Sequence, residues 1–249
     1  MSLSERLRSR RMIAVFLALG VLGLAAAVVL SPVFALRTVE VSGNSVLSKE
    51  DVVEAAGVEL GENVIFLSTE QLASRLASDP WVAGATAVKS MPSTVRIQIR
   101  ERRAAAVVRA PDAFLLVAGD GSILASTRLP QRLPLIPGIR GGSIGGSLPS
   151  DVLPAAAVAG SLGAETLAQV SSVGVAPGGA IRLRLSTGTK VLYGPPVEVN
   201  EKAQALDALL RWDSEHSPEK LRILDIRAPS APSARVVGDS RRSLELDGI

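Results

Sequence analysis

Gly141, Gly142, Ser143, Ile144 and Gly145 spell G-x-S-x-G, and Asp207 and His216 follow in the order Ser, Asp, His used by α/β-type hydrolases. Such a constellation performs acyl transfer: the serine attacks a carbonyl, the histidine takes its proton, and the carboxylate orients the imidazole. It works only where a buried strand delivers the serine to a tight turn that opens a helix, because the strained turn exposes the hydroxyl. Here the preceding LPLIPGIR carries two prolines and the next residues are glycines. The stretch GIRGGSIGGSLPS, residues 138–150, therefore reads as a flexible surface loop, with Ser143 a plain loop serine.

His216 is the only histidine, and it falls at the end of an expected helix with Pro218 two residues on. A cation is favoured there by the helix dipole, so it reads as a solvated C-terminal residue. With one histidine and no close carboxylate cluster, nothing suggests a metal site. The absence of cysteine excludes disulfides, Cys-type zinc sites and thiol nucleophiles. The expectation is a protein that is not an enzyme, with no cofactor and no small-molecule substrate.

The elements that surround these residues begin with an oily one. Residues 12–30, MIAVFLALGVLGLAAAVVL, carry no charge over nineteen positions, and the neutral run continues to Leu36. A helix of that length covers roughly 28 Å, close to one bilayer core. The run is apolar on every face, which argues against a buried core helix. Arg6, Arg8, Arg10 and Arg11 precede it against a single Glu5, so the positive-inside rule keeps the N-terminus cytoplasmic. A cleaved signal peptide is the rival, since Val33 and Ala35 imitate a cleavage site after Pro32. Signal h-regions run about 7 to 15 residues, however, and this run is longer. An uncleaved anchor is expected.

Of 27 Lys plus Arg and 24 Asp plus Glu, four positive charges and one negative lie in the first eleven residues, which leaves 23 of each in the remainder. The exported part is therefore neutral overall. A nucleic-acid partner needs a basic footprint on the folded domain, and none is expected.

Beyond Leu36 there is room for two modest domains. RTVEVSGN alternates Val39 and Val41 against Thr38, Glu40 and Ser42, then turns at Gly43 and Asn44. Ser48 with Asp51 three residues on is a capping-box-like helix start, and Gly57 supplies the stop. A second helix starts near Ser68 or Thr69, pairs Leu72 with Leu76, and ends before Pro80. VAGATAVKS and TVRIQIRER flank MPS as a hairpin, with Val95, Ile97 and Ile99 on one face. The order is strand, helix, helix, strand, strand, with the helices covering the oily face of the sheet. Trp81 is expected to anchor this core. Arg100, Glu101, Arg102 and Arg103 read as a solvated edge between the two domains.

VEVSGN, the LGEN turn, and SDPWVAGATAVKSMPSTVRIQIRER after a single membrane anchor resemble the POTRA domain of the bacterial cell-division family FtsQ/DivIB. The second half resembles the family more loosely. AFLLVAGDGSIL reads as a hairpin turning at Gly119, Asp120 and Gly121, and LPQRLPLIPGI resembles the family's proline-rich connection. A helix over residues 154–169, strands over 171–175, 181–185 and 190–193, a helix in VNEKAQALDALLRWDSE and a strand in LRILDIR follow.

The resemblance implies an α+β chain: residues 1–11 a cytoplasmic tail, 12–36 the transmembrane segment and its exit, 37–108 the POTRA domain, 109–238 a β-rich partner-binding domain. The tail, 239–249, shows no periodicity and reads as disordered. It further implies a cytoplasmic-membrane protein at the division septum, a scaffold whose partners are of the FtsB and FtsL type and, through them, the septal peptidoglycan synthase. The alternative is a POTRA-bearing translocation or envelope-assembly factor, in which such modules chaperone strands by β-augmentation. Those proteins carry tandem modules before a membrane barrel, whereas this sequence has one recognisable module and no barrel-like half. In the family the end of the second domain accepts a partner strand, so that role carries onto Leu224, Asp225, Ile226 and Arg227 and onto Ala234, Arg235, Val236 and Val237. Pro229 and Pro232 separate the two strands and cannot donate to a ladder, which leaves the second strand short and expected at the sheet edge.

Overall fold

The computed structural model describes residues 3–129, 132–216, 221–236 and 243–245. The chain divides into two compact units, Met1–Glu101 and Arg102–Ile249.

The first unit opens with α1, Leu3–Val29, whose apolar length from residue 14 onward is exposed on all faces. Together with the single 3-10 turn Pro32–Phe34 it forms one candidate membrane span, Ala14–Phe34. The helix stops where Pro32 can no longer continue it, and Ser31 caps the following turn by accepting from the Val33 amide. Leu36 is already buried in the core of the next domain, so chain passes from span to domain with no linker.

That domain contains β1 (Thr38–Ser42), α2 (Lys49–Ala56), α3 (Thr69–Ala77), β2 (Val82–Ser90) and β3 (Thr94–Glu101), in the expected order. The sheet order is β1-β3-β2, with β1 parallel to β3 and β2 antiparallel to it. Val39 from β1 and Val95, Ile97 and Ile99 from β3 pack under Val52 and Ala56 of α2 and Leu72 and Leu76 of α3. Ser48 and Asp51 complete a reciprocal capping box, and Gly57 ends α2 in the left-handed region at φ 62°. Arg75 then donates to the carbonyls of Ala56 and Gly57, satisfying the end of α2. Trp81 departs from expectation: it is half-buried and outside the core cluster, at the chain reversal where its own amide donates to Asp79 Oδ1 at 2.7 Å.

Glu101, in the arginine run, has a structural task. Its carboxylate accepts from the amides of Ser45, Val46 and Leu47 at 2.9, 2.8 and 2.9 Å and from the Ser45 hydroxyl at 3.0 Å, pinning the turn after β1 to the end of β3.

The second unit contains β4 (Ala104–Arg109), β5 (Phe114–Ala118), β6 (Ile123–Thr127), β7 (Leu135–Arg140), α4 (Leu153–Ser161), α5 (Ala164–Gln169), β8 (Val170–Val175), β9 (Ile181–Leu185) and β10 (Lys190–Gly194). It closes with α6 (Val199–His216), β11 (Leu221–Asp225), β12 (Ser233–Val236) and β13 (Ser243–Glu245). Among the described residues these strands form one sheet, ordered β13-β12-β11-β10-β9-β8-β7-β4-β5-β6. The strand from Ala104, expected within the first domain, which the resemblance extends to residue 108, hydrogen-bonds within this sheet. In β9 the alternation is strict: Ile181, Leu183 and Leu185 are buried and Arg182 and Arg184 exposed. The buried face joins Ala155, Ala156, Val158 and Ala159 of α4 and Leu206, Leu209 and Leu210 of α6 in one core.

Two local features differ from the sequence reading. The expected helix over 154–169 breaks at Leu162 and Gly163, both extended, and the backbone at Gly163 lies so close to α6 that a Cβ there would stand 3.2 Å from Asp207 Oδ2. The break lets the Thr166 hydroxyl donate to Asp207 Oδ1 on α6. The glycine-rich stretch is not a free loop. Its first residues finish β7, and its backbone then pairs with the β5–β6 hairpin through Gly145 N to Ile123 O, Ile123 N to Gly146 O and Leu148 N to Gly121 O, each 2.9 Å. Gly142 is favoured there by its φ of 145°, a conformation that residues with a Cβ rarely adopt.

At the β5–β6 turn Gly119 lies against Gly160 of α4 so closely that a Cβ on Gly160 would sit 2.6 Å from the Gly119 Cα. At the start of α6, Lys202 is 1% exposed. Its Nζ donates to the Pro195 carbonyl at 2.9 Å and lies 5.2 Å from the centre of the Tyr193 ring. The Tyr193 hydroxyl donates to the Val199 carbonyl, and burial pushes its pKa up to about 12.

Candidate partner-binding edge

The residues singled out as a partner site come together on adjacent strands. β11 runs parallel to β10, with Val191 opposite Leu224 and Leu192 opposite Asp225, and the ladder continues as the Ile226 amide donates to the Leu192 carbonyl at 3.0 Å. β12 returns antiparallel, placing Ala234 opposite Leu224, Ser233 opposite Asp225 and Val236 opposite Leu221. The connection between them folds as a tight turn, Ala231 N to Ala228 O at 3.1 Å, and needs no amide from Pro229 or Pro232.

Period-two alternation gives these residues two different tasks. Leu224, Ile226 and Ala234 point into the core, at 0%, 0% and 1% exposure, while Arg227 and Arg235 are exposed. Arg227 grips Asp225 with its Nη2 2.6 Å from Oδ2 and its Nε 2.9 Å from Oδ1. The Arg227 stem passes over Gly194, where a Cβ would stand 3.0 Å from Arg227 Cγ. The Arg227 hydrogen bond holds the Asp225 carboxyl below the usual carboxylate range; partial burial opposes this, and the charges of Arg227 and Arg235 assist it. The outer surface here carries the Arg227–Asp225 ion pair, with the exposed Arg235 acting on the same carboxylate through its charge. Of Val236 the backbone place in β12 is described, and Val237 lies outside the described residues.

β12 is not the edge. β13 pairs antiparallel with it on the outer side, setting Glu245 opposite Ser233, Leu244 opposite Ala234 and Ser243 opposite Arg235. The tail expected to be disordered therefore supplies the outermost strand at this end of the sheet. Its signal in the sequence is the alternation of Ser243, Leu244, Glu245 and Leu246, too short to stand out beside the preceding charged residues.

Neither Ser143 nor Asp207 is set up for a hydrolase, and the His216 side chain lies outside the described residues. Ser143 is exposed in a stretch that follows a strand but opens no helix, and Asp207 is taken up by Thr166. No group of three or more His, Cys, Asp or Glu suited to a metal occurs among the described residues.

Residues 34–102 match the family model for the POTRA domain, FtsQ-type, and residues 106–227 match that for cell division protein FtsQ/DivIB, C-terminal. β12 and β13 lie beyond that second match. The chain is 32% identical over 215 residues to cell division protein FtsQ of Mycobacterium leprae, covering 86% of this chain but only 59% of that protein's length. It is 30% identical to the FtsQ proteins of Mycobacterium tuberculosis H37Rv, covering 89% of this chain and 67% of that one, and of Streptomyces collinus, covering 80% and 77%. The solved major extracytoplasmic domain of the division protein DivIB from Geobacillus stearothermophilus aligns at 17% identity and a TM-score of 0.33, over 47% of this chain and 94% of that one. With both family domains matched in tandem behind one apolar helix, the chain belongs to the FtsQ/DivIB family of bacterial cell-division proteins.

Proposed function

We propose that this protein is a non-enzymatic, single-pass scaffold of the divisome, with its N-terminus in the cytoplasm and both folded domains outside the cytoplasmic membrane at the septum. It links FtsB- and FtsL-type partners and, through them, governs the septal peptidoglycan synthase. The tandem match of both family domains on one membrane helix is the observation that carries this reading. The four arginines before residue 12 support the orientation. The partner adds a strand to β12 in place of β13, which holds that edge by only three paired residues. Asp225, Arg227 and Arg235 then flank the incoming strand with charge, while Leu224, Ile226 and Ala234 serve the β11 and β12 frame that receives it.

Depletion in living cells tests the function. Filaments without septa are expected; normal septa with defective assembly of envelope proteins would refute the division role and favour a translocation factor.

A further inference from the structure

The end of the membrane helix is capped by a residue 34 positions further along the chain. Asn63 Nδ2 donates to the Val29 carbonyl at 2.7 Å, one of the carbonyls a helix end leaves unsatisfied. Around it the exit segment and the loop after α2 form a short ladder: Leu36 N to Glu62 O at 2.7 Å, Gly61 N to Leu36 O at 2.9 Å, Val64 N to Phe34 O at 2.8 Å. Asn63 Oδ1 accepts from the Ile65 amide, and Lys89 Nζ holds the Ile65 carbonyl at 2.8 Å. This loop is thus fastened to the helix end through Asn63, to the exit segment through its backbone and to β2 through Lys89.

Two of its large apolar side chains are nonetheless uncovered, while Val64 between them is buried in the domain core. Leu60 is 71% and Phe66 66% exposed, three residues to either side of Asn63. Three residues reach at most about 10 Å. The headgroup layer beyond the hydrocarbon core is roughly 5–8 Å thick on each side. A side chain bonded to the last helical turn of the span stands at the core boundary, and residues within that distance of it are in reach of the headgroup layer.

We infer that the loop 60–66 is a lipid-docking element, with Leu60 and Phe66 inserted at the boundary between headgroups and acyl chains of the outer leaflet. The inference rests on the reading of residues 14–34 as a membrane span. The surface is apolar, not cationic: Glu62 lies within the loop and Glu59 just before it, and Lys89 is engaged with the Ile65 carbonyl. Docking therefore depends on apolar insertion and persists in neutral phosphatidylcholine and at high salt.

The chain has no cysteine, so single spin labels can be placed cleanly. The full chain is reconstituted in phosphatidylcholine vesicles as Leu60→Cys, Phe66→Cys, Leu22→Cys and Val46→Cys, each carrying a nitroxide. Collision with oxygen, which concentrates in lipid, is compared with collision with a water-soluble nickel complex. Labels at 60 and 66 are expected to shift toward oxygen as the label at 22 does, while the label at 46, beyond the far end of β1, favours nickel. Oxygen preference at 22 with nickel preference at 60 and 66 overturns the docking alone. Protection from both reagents at 60 and 66 means protein covers them, and also overturns it. Nickel access at 22 overturns the span and the docking together.

Discussion

Replacing Glu101 with alanine removes the acceptor for three consecutive amides and one hydroxyl in the turn after β1. Hydrogen bonds to a charged group contribute about 1.5–3 kcal/mol each where water is excluded. This carboxylate is partly open to solvent, so about 2 kcal/mol for release of the whole turn is the appropriate scale. That corresponds to a roughly 30-fold change in the opening equilibrium. Amide hydrogen exchange of the full chain in detergent micelles, read at Val46 and Leu47, should accelerate by about that factor in Glu101→Ala and less in Glu101→Gln. The pH dependence has a definite sign. Partial burial pushes the Glu101 carboxyl up, and the bonds from Leu47, Val46 and Ser45 more than reverse it, so its pKa is lowered on folding. Its stabilisation is then complete above the unfolded value near ~4.3 and is lost as the pH falls from there through the folded value. Urea melts of the parent chain should weaken across that acid window, and those of Glu101→Gln should lack this component. Exchange at Val46 and Leu47 within ~3-fold of the parent would refute the clamp.

Gly160→Ala should lower the melting temperature of the second unit by about 3–10 °C, because its Cβ overlaps the Gly119 backbone and overpacking of this kind costs about 1–3 kcal/mol; an unchanged melt would show that the hairpin and α4 separate freely. Removing residues 240–249 strips β13 from β12 and should strengthen capture of the proposed FtsB-type partner, whereas Val236→Pro, which deletes a ladder donor, should abolish it while the chain still melts cooperatively. Equal capture by both variants and the parent would move the partner to another surface. Ser143→Ala and His216→Ala should each leave division intact in complementation; failure of both with folding preserved would revive catalysis.

The first domain was legible because local rules decide it. Val95, Ile97 and Ile99 alternate on a half-buried strand, and Ser48, Asp51 and Gly57 carry their capping chemistry within a few residues. What escaped the sequence depends on partners far along the chain. Leu162 and Gly163 look helical until the Asp207 carboxylate, 44 residues from Gly163, is placed beside them. The glycines after β7 look mobile because their bonds to β6 are made by backbone alone and leave no side-chain pattern. Trp81 was assigned to the core by its size, yet it stands at a chain reversal where only part of its ring is covered. At the candidate edge, the strand in LRILDIR is readable from its pattern, while the one at residues 233–236 is reached only through the family resemblance, which places it at 234–237. β13 is reached by neither: three paired residues give too short a repeat, and only the register beside Ser233, Ala234 and Arg235 reveals it.

The enclosed amine of Lys202 gives the second unit a built-in chemical reporter. An acylating reagent needs a free, solvent-reached amine, and this one is sealed between the Tyr193 ring and the Pro195 carbonyl where α6 meets the sheet. Its labelling by a small anhydride should therefore lag behind that of exposed Lys190, and the lag measures how often α6 lifts from β10.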